Sequence, residues 1–178
     1  RSRLSSSSAA SDVYKRQILK AGFAIAPGPA LVAILATLFG RLAVSVGQRP
    51  LILLGGFLLS ISGLYWLLIL SEDANYWTGF APPFALTAIS VALIFPQVTS
   101  IAAQALPPDK SGVGSAAIQA VRQFGQTFGV ALTLAFVGTI TETTTDPYAD
   151  FDKIWLTLAL LGLLTTLCGL PLRNRYTT

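Results

Sequence analysis

The 178-residue chain has no histidine, no methionine and one cysteine, and only 11% of its residues are charged. Without histidine there is no imidazole base, no histidine zinc ligand and no Ser-His-Asp triad. The single cysteine, Cys168, excludes an intrachain disulfide and a cysteine-rich metal site, and reads as a small packing residue. No metal or organic cofactor is expected. The chain opens on Arg1-Ser2-Arg3 without an initiating residue, which reads most simply as a fragment. Soluble domains carry roughly 25% charged residues. Here 53% of residues are hydrophobic and the mean hydropathy is +0.65, the composition of a membrane protein.

The net charge of +4 hints at an anionic partner, but the charges are unevenly placed. Arg1, Arg3, Lys15 and Arg16 supply four of the twelve cations, and Asp12 one of the eight anions. The rest of the chain holds eight cations against seven anions, so no nucleic-acid partner is expected. Residues 1–17 are polar, Ser-rich and non-periodic, and the character changes abruptly at Ile18. The string SSSAASDVYKRQ resembles library-adapter translation found at the ends of unrelated environmental reading frames; a genuine disordered loop is the alternative. The tail is set aside from fold reasoning.

Five apolar segments follow, at about 21–39, 51–70, 79–104, 112–140 and 154–172. At 1.5 Å rise per residue each is long enough to cross a hydrocarbon core of about 30 Å. The predicted class is therefore an all-α membrane protein of five transmembrane helices. Pro27, Pro29, Pro82, Pro83 and Pro96 fall inside or near the ends of these segments and are read as kinks rather than helix ends, which neighbouring membrane helices accommodate.

Arg41 and Arg49 fall in the first break, Lys110 in the third, and Arg173 and Arg175 after the fifth segment, all on one side of the membrane. The opposite side holds Lys20 and Lys153 with Glu72, Asp73, Glu142, Asp146, Asp150 and Asp152. Five cations against two put the Arg-bearing turns and the C-terminus in the cytoplasm.

The second and fifth segments are bland. The third carries Gln104 and the string FPQ at 95–97, which joins a helix-breaking proline to Gln97. In the fourth, Ser115, Gln119, Arg122, Gln126 and Thr133 recur at spacings of 4, 3, 4 and 7, which makes one helical stripe. Such a stripe must face protein or water rather than lipid. Two readings remain open: amides gluing helices together, or the lining of a water-filled passage. Arg122 favours the second, since an arginine within a span costs at least ~2.5–3.5 kcal/mol and needs compensation. It lies about 15 Å into the segment, too deep to snorkel easily. Its expected partners are Gln119, Gln126, Gln97, backbone carbonyls or water. Gly125 and Gly129 form a GxxxG that reads as close helix packing.

No Asp or Glu falls within the five segments, so a proton-coupling carboxylate would have to lie on other sequence. Enzyme signals are thin. The string GVGS at 112–115 lacks the closing glycine of a nucleophile elbow. The acidic loop from Glu142 to Asp152 lacks EF-hand spacing.

The string GRLAVSVGQRP at 40–50 resembles the cytoplasmic loop signature of the major facilitator superfamily, Gly-x-Leu-Ala-Asp-Arg-x-Gly-x-Arg. Gly40, Leu42, Ala43, Gly47 and Arg49 match it, while Val44 and Ser45 replace the Asp-Arg pair. The run PPDKSGVGSA at 107–116 followed by RQFGQTFGVA at 122–131 resembles the penultimate helix of the fourteen-helix drug:proton antiporter branch, the EmrB/QacA type, as does the Gly22 to Pro27 opening. The resemblance covers residues 18 to about 175. It implies two six-helix bundles around a central cavity, of which these would be the last five helices. It also implies that the second and fifth are peripheral and the others face the cavity. The function implied is a proton-coupled exporter of small amphipathic substrates working by alternating access, with the missing N-terminal helices as partners in the bilayer. The membrane that the resemblance implies is the cytoplasmic (inner) membrane of a bacterium or archaeon. A carrier of a narrower substrate such as a sugar, organic acid or siderophore is an alternative, as is a non-transporting structural membrane protein.

Overall fold

The computed structural model describes residues 22–69, 76–107, 111–137 and 148–172. Every element among them is helical: α1 (Pro27–Val46), α2 (Gln48–Ile69), a π-helical turn (Tyr76–Phe80), α3 (Ala81–Gln104), α4 (Ser111–Val137) and α5 (Tyr148–Gly169). A helical turn before Pro27 extends the first to a 25-residue stretch, Gly22–Val46. The tail at 1–17, Lys20, Glu72, Asp73, Lys110, Glu142, Asp146, Arg173 and Arg175 lie outside the described residues.

Several boundaries differ from the sequence expectation. The first segment does not end at 39 but runs to Val46, and the next begins at Gln48. Arg41 and Arg49 are therefore helical rather than loop residues, and the junction is Gly47 alone. Its φ of 92° and ψ of 163° are open to glycine and strained for other residues. Its N–H still reaches Ala43 O at 3.0 Å and closes the last turn of α1. The fifth helix starts six residues earlier than expected, at Tyr148. Pro147 precedes it in the sequence.

Gly22–Val46, Gln48–Ile69, Tyr76–Gln104 and Phe151–Gly169 are long and apolar enough to cross a membrane. Five such spans were expected. The 27-residue α4 matches the others in length, but Gln119, Arg122, Gln123 and Gln126 lower its apolarity.

The core joins α1, α2, α3 and α5. Ala43, Leu51 and Leu93 are buried together, with Phe39, Leu58 and Ile89 packed around them. The α2–α5 seam is the tightest contact. A Cβ on Gly63 would lie 2.5 Å from Ala159 N, and one on Gly162 2.5 Å from Ser60 N. Only glycine allows backbones this close, the small-residue packing used between membrane helices. Ser60 Oγ donates to Ala159 O at 3.0 Å across the seam. Trp66 stacks on Trp155 with centroids 4.7 Å apart. Between α2 and α3, Ser62 Oγ donates to Pro83 O at 2.7 Å. Pro83 is fully buried near the start of its helix. Trp66, Phe80, Phe84 and Trp155 gather at the end of the bundle opposite Gly47.

Helix α4 stands apart. Among the described residues of α4 none is buried, and Val121, Phe124, Phe128 and Leu134 are all exposed. The hydroxyls of Ser115, Thr127 and Thr133 bond to carbonyls of α4 itself.

Candidate functional site

Two polar places emerge, and the expected site residues divide between them. The first lies between α1, α2 and α3 beside Gly47. Pro96 cannot donate a backbone hydrogen bond and interrupts the ladder of α3. One residue on, Gln97 is 1% exposed and its Nε2 donates to Phe39 O of α1 at 3.2 Å. Ser100 Oγ, one turn further, accepts from Gln48 Nε2 at 2.9 Å and from Gln104 Nε2 at 3.0 Å. Gly40 and Ala43 complete the wall of a cavity of about 270 Å³. The amides bind three helices together around this cavity.

The second place lies on α4. Arg122 sits eleven residues after Ser111, about 16 Å along the helix. Phe95 sits nine residues before the end of α3, about 14 Å from it. Both are thus near mid-depth on neighbouring helices. The guanidinium carbon of Arg122 lies 4.3 Å from the centroid of the Phe95 ring, a cation–π contact. Such contacts contribute about 0.5–1 kcal/mol when exposed and ~2 kcal/mol when desolvated. Against an insertion cost of at least ~2.5–3.5 kcal/mol, the ring offsets part of the penalty but not all of it.

The Phe95 ring is a partner outside those expected for Arg122. Neither Gln119, Gln126 nor Gln97 bonds to it among the described residues; its contact is the Phe95 ring. Gln97 does not join the α4 stripe either, because its amide is held on the other side of α3 by α1. Gln119 and Gln126 are exposed, Gln126 above a shallow groove with Thr127, Val130 and Leu134. Ser115 Oγ is turned back onto Ser111 O at 2.7 Å.

The loop signature maps onto the α1–α2 junction. Ala43 is in the core, Leu42 faces outward, Gly40 is half-buried on the cavity wall, and Gly47 makes the one-residue turn. Arg49 is half-buried, with its Nε enclosed and without a hydrogen-bond partner. Gly125 and Gly129 have open space before them, so they are not where helices of this chain close. Gly56, Gly63 and Gly162 fill that role. The GG, S and G at 55–60 and 63 were a readable small-residue signal in a segment classed as bland. Phe95, Gln48 and Ser100 were also missed. Phe95 carries no signal of its own, because a phenylalanine in an apolar segment is indistinguishable from packing until α4 is placed beside it.

A family model described as Major Facilitator Superfamily matches residues 8–177. The chain is 30% identical over 129 residues to Multidrug resistance protein Stp of Mycobacterium tuberculosis, which covers 72% of this chain and 24% of that protein. It is 26% identical over 95 residues to Cephamycin export protein CmcT of Amycolatopsis lactamdurans, covering 53% of this chain and 20% of that protein. The chain thus spans about a quarter or less of the length of these curated relatives. No solved structure matches it.

Proposed function

The chain belongs to the major facilitator superfamily, and from that footing we propose that it forms part of the cavity-bearing half of a proton-coupled exporter of small amphipathic molecules. The observation that carries this reading is Arg122. It lies at mid-depth on a 27-residue helix with no buried residue among those described, in line with Gln119 and Gln126. A polar stripe so bare needs partners beyond this chain or water in a passage. In the complete carrier α1, α3 and α4 line that passage, with α2 and α5 outside them. Gly125 and Gly129 then pack against helices that this chain does not contain, and a carboxylate there pairs with Arg122. A close cation holds such an acid's pKa down by about one to three units, so Arg122 sets when the acid takes up a proton. Alternating access moves the two halves about this site. The Arg41 and Arg49 end is cytoplasmic by the charge rule.

Efflux in everted vesicles of the complete transporter tests this. Arg122→Gln removes both the charge and the planar fork. It should abolish proton-driven dye efflux while expression and insertion stay normal. Efflux and pH dependence unchanged in Arg122→Gln would leave Arg122 a packing role only. In intact cells, cysteines introduced at Thr144 and Thr178 in a Cys168→Ser background report orientation. Labelling by an impermeant maleimide is expected at 144 and not at 178, and the reverse inverts the topology.

A narrower substrate range is the second reading, favoured by the likeness to a relative named for cephamycin export. Competition by unrelated amphipathic compounds separates the two: broad inhibition of dye efflux supports the first reading, and its lack the second.

A further inference from the structure

Arg122 and its ring partner belong to helices of opposite character. The backbone of α3 around Phe95 is held firmly: Ala92 and Leu93 are buried, Pro96 fixes its own φ, and Gln97 is anchored to Phe39 O. Thr99 Oγ1 caps the Phe95 carbonyl itself at 2.9 Å. From this fixed backbone the Phe95 ring projects 40% exposed. Helix α4, by contrast, has no buried residue among those described; it meets α3 through Gly114 against Leu106 and Arg122 on Phe95, and it also touches α5.

We propose that Phe95 is a positioning residue for Arg122: its ring is the seat that fixes where the guanidinium stands in the α3–α4 groove. The inference rests on the reading of Arg122 as a passage residue. A ring on a rigid backbone gives a planar cation one preferred height and orientation. An aliphatic side chain of the same bulk fills the space but offers no negative face. The distinction is therefore electronic, not volumetric, and it separates a seat from a packing contact.

Two measurements test it. In the chain reconstituted in lipid nanodiscs, the Arg122 δ-methylene and Nε–H resonances should be moved upfield by the ring current of Phe95. Phe95→Leu should abolish that displacement, whereas Phe95→Trp should keep it. In the complete transporter, Phe95→Leu should slow efflux about tenfold, the equivalent of about 1.4 kcal/mol, and Phe95→Trp should restore at least half of the rate. Arg122 resonances unmoved by Phe95→Leu overturn the seat, whatever the transport assay gives. A shifted spectrum with Phe95→Leu efflux at the wild-type rate overturns the positioning role. Failure of the underlying reading looks different: there Arg122→Gln itself exports normally.

Discussion

Gly56, Gly63 and Gly162 lie where two helix backbones touch, while Gly125 and Gly129 on α4 meet nothing within 4 Å. The two regions share a vocabulary of small residues spaced three or four apart, yet among the described residues the α2–α5 seam uses it for backbone contact and the Gly125–Gly129 pair does not. The neighbouring residues account for the difference. Around the seam, Leu, Ile and Trp are apolar on all sides, and Ser60 and Thr166 spend their hydroxyls on nearby carbonyls. The exception is the Trp155 indole Nε1, which is enclosed without a hydrogen-bond partner among the described residues. Around Gly125 and Gly129 stand Arg122, Gln123 and Gln126, all exposed among the described residues. A small-residue motif thus shows where a helix can be approached, and the polarity beside it shows what approaches.

The largest expected effect lies at the seam. Gly63→Leu puts a branched side chain where even a Cβ would sit 2.5 Å from Ala159 N and 2.8 Å from Trp155 O. Backbone cannot swing aside as a flexible side chain can, so the cost falls at the upper end of overpacking, about 3 kcal/mol. Unfolding in mixed micelles should show it, together with loss of the exciton signal from the stacked Trp66 and Trp155. Gly125→Leu should leave both unchanged. If the two variants destabilise the chain equally, the contrast between seam and α4 is false.

A smaller effect is expected from the hydroxyls. Ser60→Ala removes a donor that reaches across the seam to Ala159 O at 3.0 Å and should cost about 1 kcal/mol. Thr133→Ala removes a bond from the side chain to its own helix at Gly129 O, and should stay within about 0.5 kcal/mol of wild type. Equal losses in the same micelle titration would mean that α4 is packed more firmly than its exposure implies.

The sequence foretold much of this fold, because its strongest signals are also its strongest forces. Runs of about twenty apolar residues specify membrane helices, and the spacing of Ser115, Gln119, Arg122 and Gln126 places them on one stripe. The first boundary was less legible. Gly40 and Arg41 look like loop punctuation, yet a helix tolerates both, and only Gly47 needs the positive φ that ends α1. Within the site, Arg122 was legible as a cost requiring an offset, but its partner was not. Amides and carbonyls are the obvious neighbours for a guanidinium, while a ring reaches it only through the pairing of α3 with α4. That pairing has no signature in the sequence. Gln97 was misplaced for the same reason: periodicity tells which face of one helix it occupies, not which neighbour covers that face.

The smallest expected effect is the sharpest test of the comparison, because its sign should depend on what surrounds α4. Gly129→Ala adds a methyl group where this chain has only open space. In a helix interior alanine is favoured over glycine by about 0.5–1 kcal/mol, mainly through the entropy of the unfolded chain. In this chain the substitution should therefore stabilise α4 slightly, seen as slower amide exchange around Gly129. In the complete transporter the same methyl group would meet the backbone of a helix packed on Gly125 and Gly129. There it should destabilise the assembly or slow efflux. Stabilisation in both settings would show that no helix docks on this glycine pair, and that the bare face of α4 opens on water instead. Destabilisation in this chain alone would mean that α4 already packs its glycines against the bundle.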